Sequence, residues 1–333
     1  MGNQLSFYLQ AVGLVIRHPL LVIDVFTDSI RFNRFDEGDM EEEPVNGKIA
    51  IVTGSNCGIG KQLAKDLAKR GATVILACRN LMAGRCAMED IKTENSDANM
   101  EVIALDLGNL SSVLKFASEV KSRYPKIHLL INNAGVCSFK DELQKTVDGF
   151  ELHMGVNHLG HFLLTNLLLE NLKAGAPSRI VNLSSSSMLF SELNLDDLMM
   201  EKFKKPTRLI GISRLPYNNS KMAIALFTKE LARRLKATRV NAYAVCPGIA
   251  KTGVFRDVNK MESFLAYVCL AMIGFSIPKA SLGVLYCALS RKCEHESGKF
   301  YRGGREYKPS TELMKSQDAE ELWEKSWKLV GLE

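Results

Sequence analysis

The amino-acid sequence predicts an α/β domain: a doubly wound parallel sheet of about seven strands with helices on both faces. Two observations predict it. Short apolar runs rich in β-branched residues, at 49–53, 73–77, 101–105, 129–131, 179–183 and 240–245, alternate with longer helical stretches. Parallel strands need such crossovers between them. The first run also ends in a glycine-rich turn that opens directly into a helix, the junction at which sheets of this class hold phosphates. No internal repeat or low-complexity tract interrupts the alternation.

Composition narrows the class further. A chain of 333 residues, 46% hydrophobic, has ample material for a large core. Its net charge of +6 is spread over 43 basic and 37 acidic residues, with no run of Lys or Arg able to track a phosphate backbone. Nucleic acid is therefore not an expected partner. The eight cysteines form no C-x-x-C pair, which speaks against zinc and dithiol chemistry. They read as small, mostly buried residues, reduced and facing the cytosol.

Residues 1–35 read as an apolar leader that associates with a membrane. The run 5–16 is followed by Arg17, His18 and Pro19, and the run 20–26 contains Asp24. A spanning helix would bury Arg17 and Asp24, each costing about 2.5–3.5 kcal/mol near the bilayer centre. An interfacial helix or short hairpin costs less. A basic n-region and an A-x-A cleavage site are both missing, so the leader is expected to be retained. Met1-Gly2-Asn3-Gln4-Leu5-Ser6 fits the M-G-x-x-x-[ST] pattern, making Gly2 a candidate for N-myristoylation, with an unmodified leader as the alternative. Residues 36–46, acidic and broken by Pro44, read as a linker to the domain at 47–307. Residues 308–333 carry Leu322, Trp323, Trp327 and Val330 on one helical stripe, which predicts a helical tail packed on the domain.

The first strand–helix junction carries the densest chemistry. In Thr53-Gly54-Ser55-Asn56-Cys57-Gly58-Ile59-Gly60, Gly54 permits a tight turn, Gly58 lets the backbone approach a pyrophosphate, and Gly60 lets helix and strand pack. The helix start adds unpaired N–H groups and the positive end of its dipole. Residues Gly54, Ser55, Asn56, Cys57, Gly58, Ile59 and Gly60 are thus expected to hold a dinucleotide. At the end of the second strand an NAD site usually places Asp or Glu. Here Arg79-Asn80 stand instead, and Arg79 suits a 2′-phosphate, so the cofactor expected is NADP(H).

Tyr217 and Lys221, four apart in a helical stretch, project from one face. A phenol with a pKa near 10 is a poor base at neutral pH, and an adjacent ammonium stabilises its phenolate. Tyr217 can then exchange a proton with a carbonyl or alcohol while hydride moves to or from a nicotinamide. The serines 184–187 follow the run 179–183, at the carboxyl edge where open sheets bind ligands. One of them can hold the carbonyl oxygen; spacing alone leaves open which. His153, His158 and His161 lack the carboxylate or thiolate spacing of a metal site, and no metal is expected.

In these motifs and their order, over residues 47–307, the sequence resembles the short-chain dehydrogenase/reductase family. The resemblance implies a Rossmann-like fold. It also implies that Asp106 and Leu107 contact adenine, and that Asn133, Ala134 and Gly135, in Asn132-Asn133-Ala134-Gly135, steady the central sheet and the adenine ribose. Alignment through 180–185 makes Ser185 the serine of a catalytic group with Asn157, Tyr217 and Lys221. Pro247, Gly248 and Thr252 match the segment beside the nicotinamide. Within the family, 155–165, 176–181, 226–235 and Ala77-Cys78-Arg79 look like the retinol dehydrogenase group that reduces retinal with NADPH. That likeness implies a lipophilic alcohol or aldehyde as substrate, retinol/retinal foremost, and a cytosol-facing catalytic domain on a membrane, that of the endoplasmic reticulum. A homodimer is admitted. The alternatives are the same chemistry on a steroid, farnesal or another lipid aldehyde, and a catalytically idle NADP-binding scaffold. Two further stretches fall on the substrate side: 204–215 reads as an insertion, and the apolar run 264–277 as a greasy lid dipping into the membrane or a core helix.

Overall fold

A computed structural model describes residues 35–138, 142–202, 215–248 and 275–332. The leader up to residue 34 with Gly2, the stretch 204–214, Thr252 and the part of the apolar run at 264–274 lie outside the described residues.

Eight strands form one sheet: β1 (Ile49–Thr53), β2 (Thr73–Cys78), β3 (Met100–Ala104), β4 (Leu129–Asn132), β5 (Ser178–Leu183), β6 (Val240–Cys246), β7 (Phe300–Arg302) and β8 (Arg305–Glu306). Their order is β3-β2-β1-β4-β5-β6-β7-β8. All neighbours pair parallel except the last, where the two-residue β8 turns back on β7. Chain direction across the sheet reverses between β1 and β4, and crossovers leaving in opposite senses open a crevice at the carboxyl ends there.

Strand residues alternate between two cores, as a pleat with a period of two requires. Ile51, Ile75, Leu130 and Ile180 face one core, completed by α3 (Leu110–Arg123), α4 (Gly160–Leu167), α6 (Leu215–Arg234) and α9 (Ser316–Leu329). Val52, Leu76, Ile131 and Val181 face the other, completed by α1 (Gly58–Lys69), α2 (Leu81–Glu94) and α7 (Ile277–Leu289). Burial on both faces explains why the strands read as nearly continuous apolar runs rather than alternating ones. Two short helices, α5 (Leu169–Ala174) and α8 (Lys308–Leu313), complete the set among the described residues.

The acidic segment does not stand away from the domain as its composition suggests. Met40 and Val45 are buried, Arg70 pairs with Glu37 and Glu42, and Arg291 pairs with Glu43 at 2.7 Å. Its carboxylates answer cations just after α1 and just after α7, so the negative charge is a docking signal that composition alone cannot reveal. At the other end of the chain, Trp323 of α9 meets Phe162 at 4.9 Å and Phe227 at 5.8 Å between ring centroids, with the Arg234 guanidinium 4.4 Å over the Trp323 ring. This helix therefore covers the outer face of α6.

Candidate active site

The β1–α1 turn is built for close approach. Gly54 adopts φ +65°, which only glycine takes without strain, and its N–H donates to the Ala77 carbonyl of β2 at 2.8 Å. A Cβ on Gly60 would lie 2.4 Å from the Gly54 oxygen and 2.5 Å from Asn133 Nδ2. Ser55 turns inward and donates to the Val52 carbonyl at 2.9 Å, while Asn56 and Ile59 are half-buried. Cys57, the N-cap of α1, is extended and makes no side-chain capping bond. The helix start is thus left to an external acceptor, the arrangement that suits a pyrophosphate.

Arg79 and Asn80 are exposed at the end of β2. Asn80 caps α2, its Oδ1 accepting from Ala83 N–H at 3.0 Å, so its side chain has structural work besides any ligand contact. Asp106 accepts from Gly108 N–H at 2.9 Å. The Leu107 side chain is buried in the core, and its carbonyl oxygen packs against Gly160, where an added Cβ would lie 2.4 Å away. Past β4, the Thr53 hydroxyl accepts from Asn133 N–H at 3.0 Å and from Ala134 N–H at 2.9 Å, and Asn133 Nδ2 donates to the Thr53 carbonyl at 2.8 Å. The post-β4 segment is thereby pinned to the glycine turn.

A π-helical turn, Met154–Leu159, precedes α4; such turns recur at functional sites. It carries Asn157, whose Oδ1 accepts from Val136 N–H at 2.8 Å and whose Nδ2 donates to the Val136 carbonyl and to Ser220 Oγ, both at 3.0 Å. Of the expected quartet, Asn157 thus meets α6 through Ser220, next to the lysine position, and two further members lie on α6 itself. One helical turn separates Tyr217 from Lys221 on α6, and the Lys221 ammonium lies 5.4 Å from the Tyr217 ring centroid. Lys221 is buried and donates to the Leu183 carbonyl at the end of β5 at 2.9 Å. A Cβ on Gly135 would come within 3.6 Å of Lys221 Nζ, so the post-β4 segment and α6 meet there.

Hydrogen bonding engages two of the four serines that spacing left open and leaves the hydroxyls of Ser185 and Ser187. Ser184 is buried and donates to the Lys221 carbonyl at 2.7 Å; Ser186 lies 3.3 Å from Cys246 Sγ. Ser185, half-buried, accepts from Ser187 N–H at 3.1 Å, which leaves its own hydrogen for an incoming oxygen. Pro247 and Gly248 continue β6 on the same edge, with Gly248 at φ +77° against Phe275.

The three histidines that cluster in sequence serve different networks. His153 Nδ1 lies 2.7 Å from Glu151 Oε1, His158 Nε2 lies 2.8 Å from Ser326 Oγ of α9, and His161 bridges the Asn157 carbonyl and Thr53 Oγ1, both at 2.9 Å. Burial lowers His158 to about 3 and His161 to about 4, so both rings are neutral. Burial likewise lowers Lys221 to about 8, against the opposing pull of the Cys137 and Cys246 thiols. Sequence reasoning missed Thr53, Glu151, His153 and Ser220 as members of this site. Thr53, His153 and Ser220 act through partners distant in the chain, whereas Glu151 binds its near neighbours His153 and Met154, and the Glu-x-His spacing at 151–153 was the one local signal.

The chain is similar to known proteins along most of its length. Residues 48–193 and 209–263 match the family described as short chain dehydrogenase. Mouse retinol dehydrogenase 12 is 40% identical over 294 residues, covering 87% of this chain and 88% of its own. Human retinol dehydrogenase 13 is 41% identical over 293 residues, covering 87% and 86%. Among solved structures, a Mycobacterium paratuberculosis protein is 31% identical with a TM-score of 0.68, covering 87% of this chain and 96% of its own. The Pseudomonas aeruginosa RhlG/NADP active-site complex shares the fold at 21% identity, with a TM-score of 0.61 and coverage of 78% and 97%. The chain belongs to the short chain dehydrogenase family and is an oxidoreductase of that family.

Proposed function

We propose that this oxidoreductase uses NADP(H) and transfers hydride between the nicotinamide and a lipophilic alcohol or aldehyde, retinol/retinal foremost. The carrying observation is the Lys221 ammonium 5.4 Å from the Tyr217 ring, at the carboxyl edge of the sheet where it meets the Leu183 carbonyl. When bound, the nicotinamide supplies or accepts the hydride at the carbonyl carbon. The protein's own part is proton handling and orientation. Ser185 Oγ donates to the carbonyl oxygen, Tyr217 gives that oxygen its proton, and the Lys221 ammonium stabilises the phenolate left behind. Asn157 holds the 136 position against α6, and the turn at 54–60 with Asp106, Leu107, Asn133, Ala134, Gly135, Pro247 and Gly248 binds the dinucleotide. Arg79, exposed where a carboxylate would select a ribose hydroxyl, supports the choice of NADP(H).

The retinoid reading rests on the names of relatives about 40% identical. Membrane association at the endoplasmic reticulum, with the catalytic domain facing the cytosol, rests on the apolar leader. It gains support from where the chain re-enters the domain. Phe35 and Asp36 are held by Lys279 in the first turn of α7, so residue 35 and the start of α7 lie side by side. Among the described residues no helix is long and apolar enough to cross a membrane.

The test is NADPH oxidation by the full chain in detergent, with all-trans-retinal and a panel of other lipid aldehydes, and with NADH in parallel. Turnover of retinal, faster with NADPH, is expected. It should fall by about 100-fold or more in Tyr217→Phe, the span a general acid contributes. Tyr217-dependent turnover of other aldehydes alone would discard the retinoid, and equal efficiency with NADH would discard the cofactor assignment.

A further inference from the structure

Glu151 and His153 are both buried, at 2% and 5% exposure, and the catalytic scheme above does not use them. Glu151 stands at the entry to the π-helical turn. Its Oε1 accepts from His153 N–H at 3.0 Å and its Oε2 from Met154 N–H at 2.8 Å. The remaining bond of Oε1 is to His153 Nδ1 at 2.7 Å. A carboxylate can only accept there, so Nδ1 carries the hydrogen. On the far side of the ring, Nε2 receives the Ser138 N–H at 2.9 Å, so Nε2 carries none. Two flanking groups therefore fix one neutral tautomer and one ring orientation.

That orientation has two consequences. The ring meets the Tyr217 ring nearly perpendicular, at 80° with centroids 6.2 Å apart, on a tyrosine already approached by Lys221. It also fastens Ser138 just as Asn157 fastens Val136, so that two side chains of one helical segment clamp the stretch 136–138 beside Tyr217.

We propose that His153, locked by Glu151, is a positioning residue for the reaction: it sets the Tyr217 ring and the 136–138 wall against which the carbonyl is presented. This rests on the reading of Tyr217 as the proton donor. Side chains that orient a reacting group act through geometry, and a misplacement of about 1 Å can cost on the order of 100-fold in rate. Replacing Glu151 by Gln breaks the lock chemically, because one amide cannot accept all the N–H bonds that the carboxylate accepts.

The experiment compares His153→Phe, Glu151→Gln and Tyr217→Phe in the full chain. It measures kcat, KM for the aldehyde, NADPH affinity by fluorescence, and the isotope effect with NADPH deuterated at the transferred position. His153→Phe and Glu151→Gln are expected to lower kcat by roughly 10- to 100-fold, raise the isotope effect, and leave NADPH affinity within about two-fold of wild type. Intact NADPH affinity shows that the variant is folded, and Glu151→Gln, the milder change, stands in should His153→Phe fail to fold. Wild-type kcat and isotope effect in a variant that binds NADPH, while Tyr217→Phe is inactive, would overturn the positioning role alone. An active Tyr217→Phe would overturn the reading beneath it.

Discussion

At the scale of single residues, Lys221 is the group whose protonation state matters most. Its side chain is buried and held by the Leu183 carbonyl, and burial lowers its pKa to about 8 from the usual 10.5. Below that pH the ammonium is present and, in the proposed reaction, stabilises the phenolate formed when Tyr217 gives up its proton. Above it the charge is gone. Carbonyl reduction at saturating NADPH should therefore fall as pH rises through about 8, approaching a tenfold loss per pH unit. In Lys221→Arg, whose guanidinium keeps its charge throughout, a lower rate should persist but without that alkaline limb. A wild-type rate that stays flat from pH 7 to 10 would remove Lys221 from the proton-transfer step. The same burial is invisible in the sequence, where Tyr217 and Lys221 show only as neighbours on a helix face. What lowers the lysine is the enclosure supplied by β5, β6 and the segment after β4.

Among the elements, the β1–α1 junction tests most directly how packing makes the proposed cofactor site. A methyl group at residue 60 would collide with the backbone oxygen of Gly54, which cannot swing away, and with Asn133 Nδ2, a side-chain end held by the Thr53 carbonyl. Gly60→Ala should push α1 off the turn, weakening NADPH binding by roughly 10-fold or more and lowering stability by about 1–3 kcal/mol. Gly38→Ala, where an added Cβ meets nothing within 4 Å, should change neither quantity, and equal effects of the two would refute the packing account. This junction was legible in the sequence because a strand, a glycine turn and a helix follow one another without a gap. The strands were legible for the same reason, since burial on both faces writes itself as unbroken apolar runs. The acidic segment was not, because its meaning depends on Arg70 and Arg291, which only the fold brings to it. Nor was the pairing of Glu151 and His153 with Ser138, whose partner is a backbone N–H from another segment.

For the molecule as a whole, two buried histidines tie catalysis-side elements to distant parts of the chain and make the fold sensitive to acid. His158 joins the π-helical turn to α9 through Ser326, and His161 joins the same turn to the end of β1 through Thr53. Burial holds them neutral down to about 3 and about 4, whereas in the unfolded chain a histidine takes up its proton near 6.5. Below pH 6.5 the unfolded state therefore binds more protons than the native one, and stability declines as pH falls until the native values are reached. Each histidine contributes a slope of about 1.4 kcal/mol per pH unit, which for the pair amounts to roughly 4 kcal/mol by pH 5. That is a large part of the about 5–15 kcal/mol that holds a typical domain together. Melting followed by circular dichroism should show a drop in Tm of about 10 °C between pH 7.5 and pH 5. His158→Gln, which keeps a donor for Ser326 but cannot titrate, should have a lower Tm at pH 7.5 and roughly half the pH slope. If the wild-type Tm is unchanged at pH 5, the two rings accept protons within the native fold, and the links from the π-helical turn to α9 and β1 must tolerate the charge.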